Sequence, residues 1–162
     1  MNGAGEPAER TFSVASGSEE DTVRFGRSLG AVLRGGDVVF AEGPLGAGKT
    51  CLIRGVCTGL GFRGRVRSPS FAVVCRYAGR HVVYHVDLYR IPVTSPELED
   101  LSRQEYFSED AVTLVEWGEK LRPWGVTPSA RVVIGVGDGD SRHIELTVEA
   151  PDLAARLREV EL

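Results

Sequence analysis

The residues best suited to chemistry lie in the segment 43–50, which reads GPLGAGKT. Gly43 stands five places before Gly48, and Lys49 and Thr50 follow, which completes the pattern G-x-x-x-x-G-K-[ST]. In a loop of this shape, successive backbone N–H groups point inward and form a site for an anion. The segment therefore predicts a phosphate-binding loop, in which Lys49 reaches the β and γ phosphates of a nucleotide and the Thr50 hydroxyl takes a magnesium position.

Such a loop needs a buried strand before it and a helix after it, and the flanking sequence predicts both. The segment 38–43 reads VVFAEG, a short apolar run typical of a strand that is covered on both faces. The segment 50–61 has apolar residues at helical spacing and ends at Gly61, which suits the end of a helix. Those apolar residues are Ile53, Val56, Cys57 and Leu60.

Two carboxylates follow apolar strands elsewhere in the chain. Asp87 comes after VVYHV, and Glu116 comes after VTLV. Because parallel strands deliver their carboxyl ends to one edge of a sheet, we expect both acids to lie beside the loop. One would hold the metal and the other would orient or deprotonate the attacking water, and the spacing does not decide which is which.

Other polar and aromatic residues near these strands allow two interpretations each. Ser68 and Ser70 could sense a γ-phosphate, or they could belong to an ordinary Ser-Pro turn. His85 shares a strand face with Asp87, and we favour a structural hydrogen-bonding role over that of a base. Trp117 could cover a bound nucleotide, although filling the core is the default interpretation for a tryptophan.

The remaining pattern predicts an α/β protein with a mixed sheet. Ser18 is a suitable N-cap for a helix whose apolar face contains Phe25, Leu29, Val32 and Leu33. The runs 71–77 and 81–89 are separated by three residues containing Gly and predict a β-hairpin. The other predicted elements are strands at 11–16, 111–118, 130–137 and 143–150, an acidic segment at 95–107 and a helix at 151–162.

Composition favours one ordinary globular domain over residues 1–162, with residues 1–10 as a loose tail. A net charge of −4 argues against strong direct binding to nucleic acid. The three cysteines form no C-x-x-C pair, which favours reduced thiols. The sequence has neither a signal peptide nor a membrane span, so we expect a cytoplasmic protein with no membrane contact.

Five motifs together resemble one known family. GPLGAGKT, RSPSF, YHVDLYRI, EYF and LVEWGE follow one another as the motifs do in the TsaE family. The resemblance runs from about Ser18 to Gly118 and is strongest at HVDLYR and VEW, neither of which is a general P-loop motif. Members of that family are small bacterial P-loop ATPases needed to make threonylcarbamoyladenosine in transfer RNA.

The resemblance implies an α/β P-loop fold with a mixed sheet, and hydrolysis of ATP with Mg²⁺. It also implies a partnership with the TsaD–TsaB pair, the enzyme that transfers the threonylcarbamoyl group to adenosine. The TsaE protein does not perform that transfer; it binds the pair and supports repeated turnovers through its ATP cycle. We expect the isolated chain to be a monomer.

The resemblance also assigns roles to individual residues. Glu116 matches the metal-binding acid of the family beside Thr50, so Asp87 becomes the catalytic or water-positioning carboxylate, with Lys49 on the phosphates. Ser18 and Glu19 would contact the adenine on one side, and Arg142 on the other. The further residues expected to bind the nucleotide are Gly43, Leu45, Gly46, Ala47, Gly48, Thr50, Ser70 and Trp117.

The sequence departs from the family pattern at two positions. Pro44 stands where an acid is common, and Ser70 stands where Thr is common, although Ser70 keeps the hydroxyl.

The absence of an N-K-x-D motif favours ATP over GTP. Two alternatives remain: a small-molecule kinase, for which the largely acidic segment 95–107 makes a poor arginine-bearing lid, and a nucleotide-binding adaptor with little hydrolysis.

Overall fold

The computed structural model of the chain describes residues 9–69 and 71–162, so Ser70 and most of the predicted tail lie outside the described residues. Within those residues the chain forms seven strands and four α-helices. The strands are β1 (Arg10–Ser16), β2 (Val38–Glu42), β3 (Val74–Ala78), β4 (Val82–Asp87), β5 (Ala111–Glu116), β6 (Ala130–Val136) and β7 (Arg142–Val148). The α-helices are α1 (Glu19–Val32), α2 (Lys49–Gly59), α3 (Glu97–Ser102) and α4 (Pro151–Leu157), and short 3₁₀ helices span Glu105–Phe107 and Gly118–Trp124.

The strands form one mixed sheet in the order β1-β7-β6-β2-β5-β4-β3. The central strand β2 pairs in parallel with β5 and β6, and β4 is parallel to β5. The pairs β1–β7, β6–β7 and β3–β4 are antiparallel. This topology confirms the predicted α/β fold with a mixed sheet, including the hairpin of β3 and β4.

Both faces of the sheet are covered, which explains why β2 is apolar from Val38 to Ala41. Val39 and Ala41 belong to a core cluster shared with α1, α2 and α4. Val38 and Phe40 point the other way and belong to a second cluster with α3 and the 3₁₀ helix at Gly118–Trp124. A strand that contributes alternate residues to two cores has no polar face, as the continuous run predicted.

Helices α1 and α2 lie in direct backbone contact because glycines face each other across their interface. A methyl group at Gly30 would lie 2.2 Å from the Val56 carbonyl oxygen, and one at Gly26 would lie 2.4 Å from the Leu52 carbonyl oxygen. A Cβ at Gly55 or Gly59 on α2 would lie 2.2 Å from a carbonyl oxygen of α1. The two helices run in the same direction, so the first turn of α1 lies beside the first turn of α2.

The prediction of a strand at 71–77 was wrong at its start. The backbone turns before β3: the Val73 amide donates to the Pro69 carbonyl, and Val73 has a φ of 63°. Apolar residues in this turn give the same sequence signal as a buried strand, which is why the run looked longer. The 3₁₀ helix after β5 was not predicted at all, and β5 itself ends where Trp117 takes a φ of 61°.

The three cysteines are free thiols within the described residues, as expected for reduced cysteines. Burial raises the pKa of Cys57 to about 12, so this thiol stays protonated at neutral pH. No helix in the described ranges is both long enough and apolar enough to cross a bilayer.

Candidate active site

The loop between β2 and α2 encloses open space rather than packing on itself. Gly46 and Gly48 have φ values of 78° and 108°, a region that favours glycine. A Cβ at either position would meet no described protein atom within 4 Å, although both glycines line a cleft. A side chain there would fill the cleft. Gly48 also gives α2 no side-chain cap, so the first N–H groups of the helix are available to an anion.

Lys49 is held by the loop that carries it. Its side chain is buried, and Nζ donates to the Gly43 and Pro44 carbonyls at 2.8 Å each. The ammonium also lies 4.6 Å from the centroid of the Trp117 ring. Burial lowers the pKa of Lys49, while the nearby Glu116 and Asp87 carboxylates act in the opposite direction. The loop therefore fixes the positively charged Lys49 ammonium beside the cleft before any ligand binds.

Thr50 and Glu116 form an oxygen pair at the start of α2. The Thr50 hydroxyl donates to Glu116 Oε1 at 3.2 Å, and His85 Nε2 lies 2.9 Å from the same oxygen. A hydroxyl and a carboxylate are ligands that suit Mg²⁺, which otherwise keeps waters and phosphate oxygens around it. No cluster of three or more acidic, histidine or cysteine side chains suited to a metal occurs in the described part of the chain. The pair fits a metal that arrives with a phosphate ligand.

Asp87 lies beside Glu116, because the two residues are register partners on the parallel strands β4 and β5. This confirms the expectation that the sheet delivers both acids to one edge. Asp87 Oδ2 accepts from the Ser68 hydroxyl at 3.1 Å, and Oδ1 accepts from the Tyr89 amide at 2.9 Å. The segment before β3 is thus linked to this carboxylate through Ser68.

One cleft of about 510 Å³ contains the residues predicted for phosphate and metal. Trp117 borders it and also packs on the second core cluster, which agrees with the core interpretation, while a contact with a bound nucleotide stays a prediction. Gly43, the first residue of the loop, packs against β6: a Cβ at this position would lie 2.4 Å from the Ile134 carbonyl oxygen. The predicted residues that line the cleft are Leu45, Gly46, Gly48, Lys49, Thr50, Ser68, Asp87, Glu116 and Trp117.

A second cleft of about 380 Å³ lies on the other side of the same loop. Ser18, Glu19, Ala47 and Arg142 line it, so the residues expected near an adenine do lie together. Each already has a partner: the Ser18 hydroxyl caps α1, and the Arg142 Nε donates to the Ala47 carbonyl at 3.0 Å. The hydrogen bond from Arg54 to Glu19, at 2.6 Å, lowers the pKa of Glu19.

The sequence analysis missed Cys51 and Tyr89, which line these clefts, and Lys120, which lies beside Trp117. Cys51 lines both clefts, and the Tyr89 ring lies 5.3 Å from the Trp117 ring between centroids. Their positions one residue after Thr50 and two after Asp87 were the available signal. No feature of the sequence pointed to Lys120, because its partners are distant in the chain. Its Nζ donates to the carbonyls of Leu88 at 2.7 Å and Ile91 at 2.9 Å.

A sheet with parallel central strands, a glycine-rich loop between β2 and α2, and the Lys-Thr pair at the end of that loop define a protein with a P-loop fold. A family model described as "Threonylcarbamoyl adenosine biosynthesis protein TsaE" matches residues 16–144. The chain belongs to this family, which confirms the resemblance seen in the sequence.

Relatives and a solved structure agree with this assignment. The chain is 38% identical over 122 residues to the tRNA threonylcarbamoyladenosine biosynthesis protein TsaE of Treponema pallidum, covering 73% of this chain and 90% of that one. It is 47% identical over 130 residues to the protein of the same name from Streptomyces coelicolor, covering 75% and 86%. The crystal structure of Bacillus subtilis YdiB superposes with a TM-score of 0.76 at 28% identity, covering 93% of this chain and 94% of that one.

Proposed function

We propose that this chain is a magnesium-dependent ATPase that binds the TsaD–TsaB pair and supports its turnover in the threonylcarbamoyladenosine modification of transfer RNA. The observation that carries the proposal is the meeting of four groups in one cleft: the open glycine loop, Lys49, the Thr50–Glu116 pair and Asp87. The family name and the relatives support the transfer RNA pathway.

The loop and Lys49 would bind the phosphates. The N–H groups of the loop and of the first turn of α2 provide donors for phosphate oxygens. Lys49 Nζ donates to the Gly43 and Pro44 carbonyls in the structure. A bound phosphate would replace these carbonyls as the acceptor of the ammonium's hydrogen bonds. Since the charge is already in place, binding needs little rearrangement of the side chain.

The carboxylates would divide the remaining work. Thr50 and Glu116 would hold Mg²⁺, which neutralises charge on the phosphate oxygens when bound. Asp87 would orient or deprotonate the attacking water, and its hydrogen bonds from Ser68 and the Tyr89 amide fix its direction. The link to Ser68 gives the segment before β3 a means to respond to the state of the cleft.

We expect slow turnover by the isolated chain. Arg90 borders the cleft, but its guanidinium lies over the ring of Phe71 at 4.7 Å. A partner that supplies or orders a cation at the phosphates would accelerate hydrolysis. Stimulation of at least about tenfold is expected, equivalent to about 1.4 kcal/mol of barrier.

The test is phosphate release from γ-labelled ATP, measured with the chain alone and with the TsaD–TsaB pair, alongside an assay of transfer RNA modification. Release without any acceptor indicates an ATPase, and release only with the pair indicates activation by the partner. Label recovered on an added small molecule would indicate a kinase. No release under either condition would indicate an adaptor and contradict the proposal.

A further inference from the structure

His85 is a fully buried histidine whose ring reaches across to the neighbouring strand. It lies on β4, where its register partner on β5 is Leu114, two residues before Glu116. Its Nε2 is 2.9 Å from Glu116 Oε1, and the Glu116 side chain is itself only 6% exposed. Because the ring has no contact with solvent, Glu116 offers it a polar partner inside the protein.

The two donors on Glu116 Oε1 fix the direction of that carboxylate. Thr50 approaches this oxygen from α2, and His85 approaches it from β4. With Oε1 held from both sides, the second oxygen is the one left for a ligand in the cleft that Glu116 borders. Without His85, the Thr50 hydroxyl would be the remaining constraint, and it is itself a ligand candidate.

The surroundings of His85 also select its tautomer. Among the described residues its Nδ1 is buried and has no hydrogen-bond partner. A neutral ring with its proton on Nε2 donates to the carboxylate, whereas the other tautomer would place two acceptors face to face. The contact with Glu116 therefore requires the proton on Nε2.

We propose that His85 is a positioning residue for Glu116: it donates from Nε2 to Oε1 and thereby holds the carboxylate in the orientation that receives Mg²⁺. The inference rests on the proposed function, since it assumes that Glu116 binds the metal. Removing such a supporting hydrogen bond typically costs about 10-fold to 100-fold in metal affinity.

A pair of amide variants separates this role from simple packing. In His85→Gln the amide nitrogen stands as many bonds from the backbone as Nε2, so it can still donate to Glu116. In His85→Asn the nitrogen stands at the distance of Nδ1 and falls short. His85→Leu removes the donor and fills the site with an apolar side chain, and it serves if the Asn variant does not fold, as checked by thermal unfolding.

The measurement is the calorimetric affinity for a non-hydrolysable ATP analogue, titrated with and without Mg²⁺. We expect the Asn and Leu variants to need about tenfold more Mg²⁺ for the same affinity, and the Gln variant to stay close to the wild type. Affinity without Mg²⁺ should be the same in all of them.

Any other result would overturn the inference, and the possible results can be told apart. An unchanged Mg²⁺ requirement in Asn and Leu shows that His85 does not position Glu116. Equal losses with and without Mg²⁺, or no rescue by Gln, show a role in packing only. If the wild type itself shows no Mg²⁺ dependence, the proposed function fails, and this inference fails with it.

Discussion

The glycine contact between α1 and α2 predicts the effect of alanine at Gly55 on stability. Helix propensity favours alanine there, whereas the close contact between the helices opposes it. Gly55 lies within α2, where alanine is the better helix former by about 1 kcal/mol. A Cβ at this position would lie 2.2 Å from the Val23 carbonyl oxygen, whereas ordinary contact begins at 3.4 Å. The oxygen belongs to the backbone of α1 and the position of a Cβ is fixed by the backbone of α2, so no side-chain rotation can relieve the overlap.

The clash should exceed the gain in helix propensity. Overpacking costs up to about 3 kcal/mol, and the rigid partners place Gly55→Ala at that end of the range. After the gain of about 1 kcal/mol, the variant should lose about 2 kcal/mol of unfolding free energy. For a chain of this size each kcal/mol shifts Tm by about 2–4 °C, so Tm should fall by about 4–8 °C.

Differential scanning calorimetry tests this prediction, with Thr58→Ala as the matched control on the exposed face of α2. The control introduces no clash, and its gain in helix propensity is offset by loss of the hydrogen bond from the Thr58 hydroxyl to the Arg54 carbonyl, so Tm should stay nearly unchanged. A Tm for Gly55→Ala equal to or above that of the wild type would refute the reasoning, because it would show that the helices separate at no cost.

Three other side chains give predictions. Lys49→Ala should weaken nucleotide affinity about tenfold or more, because a charge-assisted contact contributes about 1.5–3 kcal/mol; unchanged affinity by calorimetry would contradict this. Glu116→Ala should reduce Mg²⁺-dependent turnover while leaving Mg²⁺-free binding intact, and an equal loss in both would reject the assignment. Burial raises the pKa of Glu42 above its ordinary 4.5, so its ionised form costs stability at pH 7, and the cost disappears below pH 4.5. Glu42→Gln should therefore be more stable than the wild type at pH 7 but not at pH 4, as measured by denaturant unfolding.

Local patterns predicted the fold well where one element follows its own periodicity. The apolar run of β2 and the Ser18 cap of α1 each have a short-range cause, and both are present. The turn at Val73 has no such signal, because its apolar residues also suit a strand. The pairing of β1 with β7 depends on the whole sheet, so no local pattern could reveal it.

The site shows the same division between local and distant causes. Asp87 and Glu116 could be placed at one edge from the sequence, since each ends an apolar strand and parallel strands share an edge. The contact from His85 to Glu116 was not predicted, because it depends on the register between β4 and β5. The hydrogen bonds from Lys120 to the segment after β4 likewise form only when distant parts of the chain come together.

The position of β1 has a consequence for how the chain is made. In the sheet formed by the described residues β1 pairs only with β7, with Arg10 opposite Val148. During synthesis β1 leaves the ribosome before the other six strands of this sheet, yet its partner β7 is the last of the seven to be translated. The first strand to emerge is therefore the last to dock, and a nascent chain halted before β7 keeps an unpaired strand edge on β6 that invites aggregation.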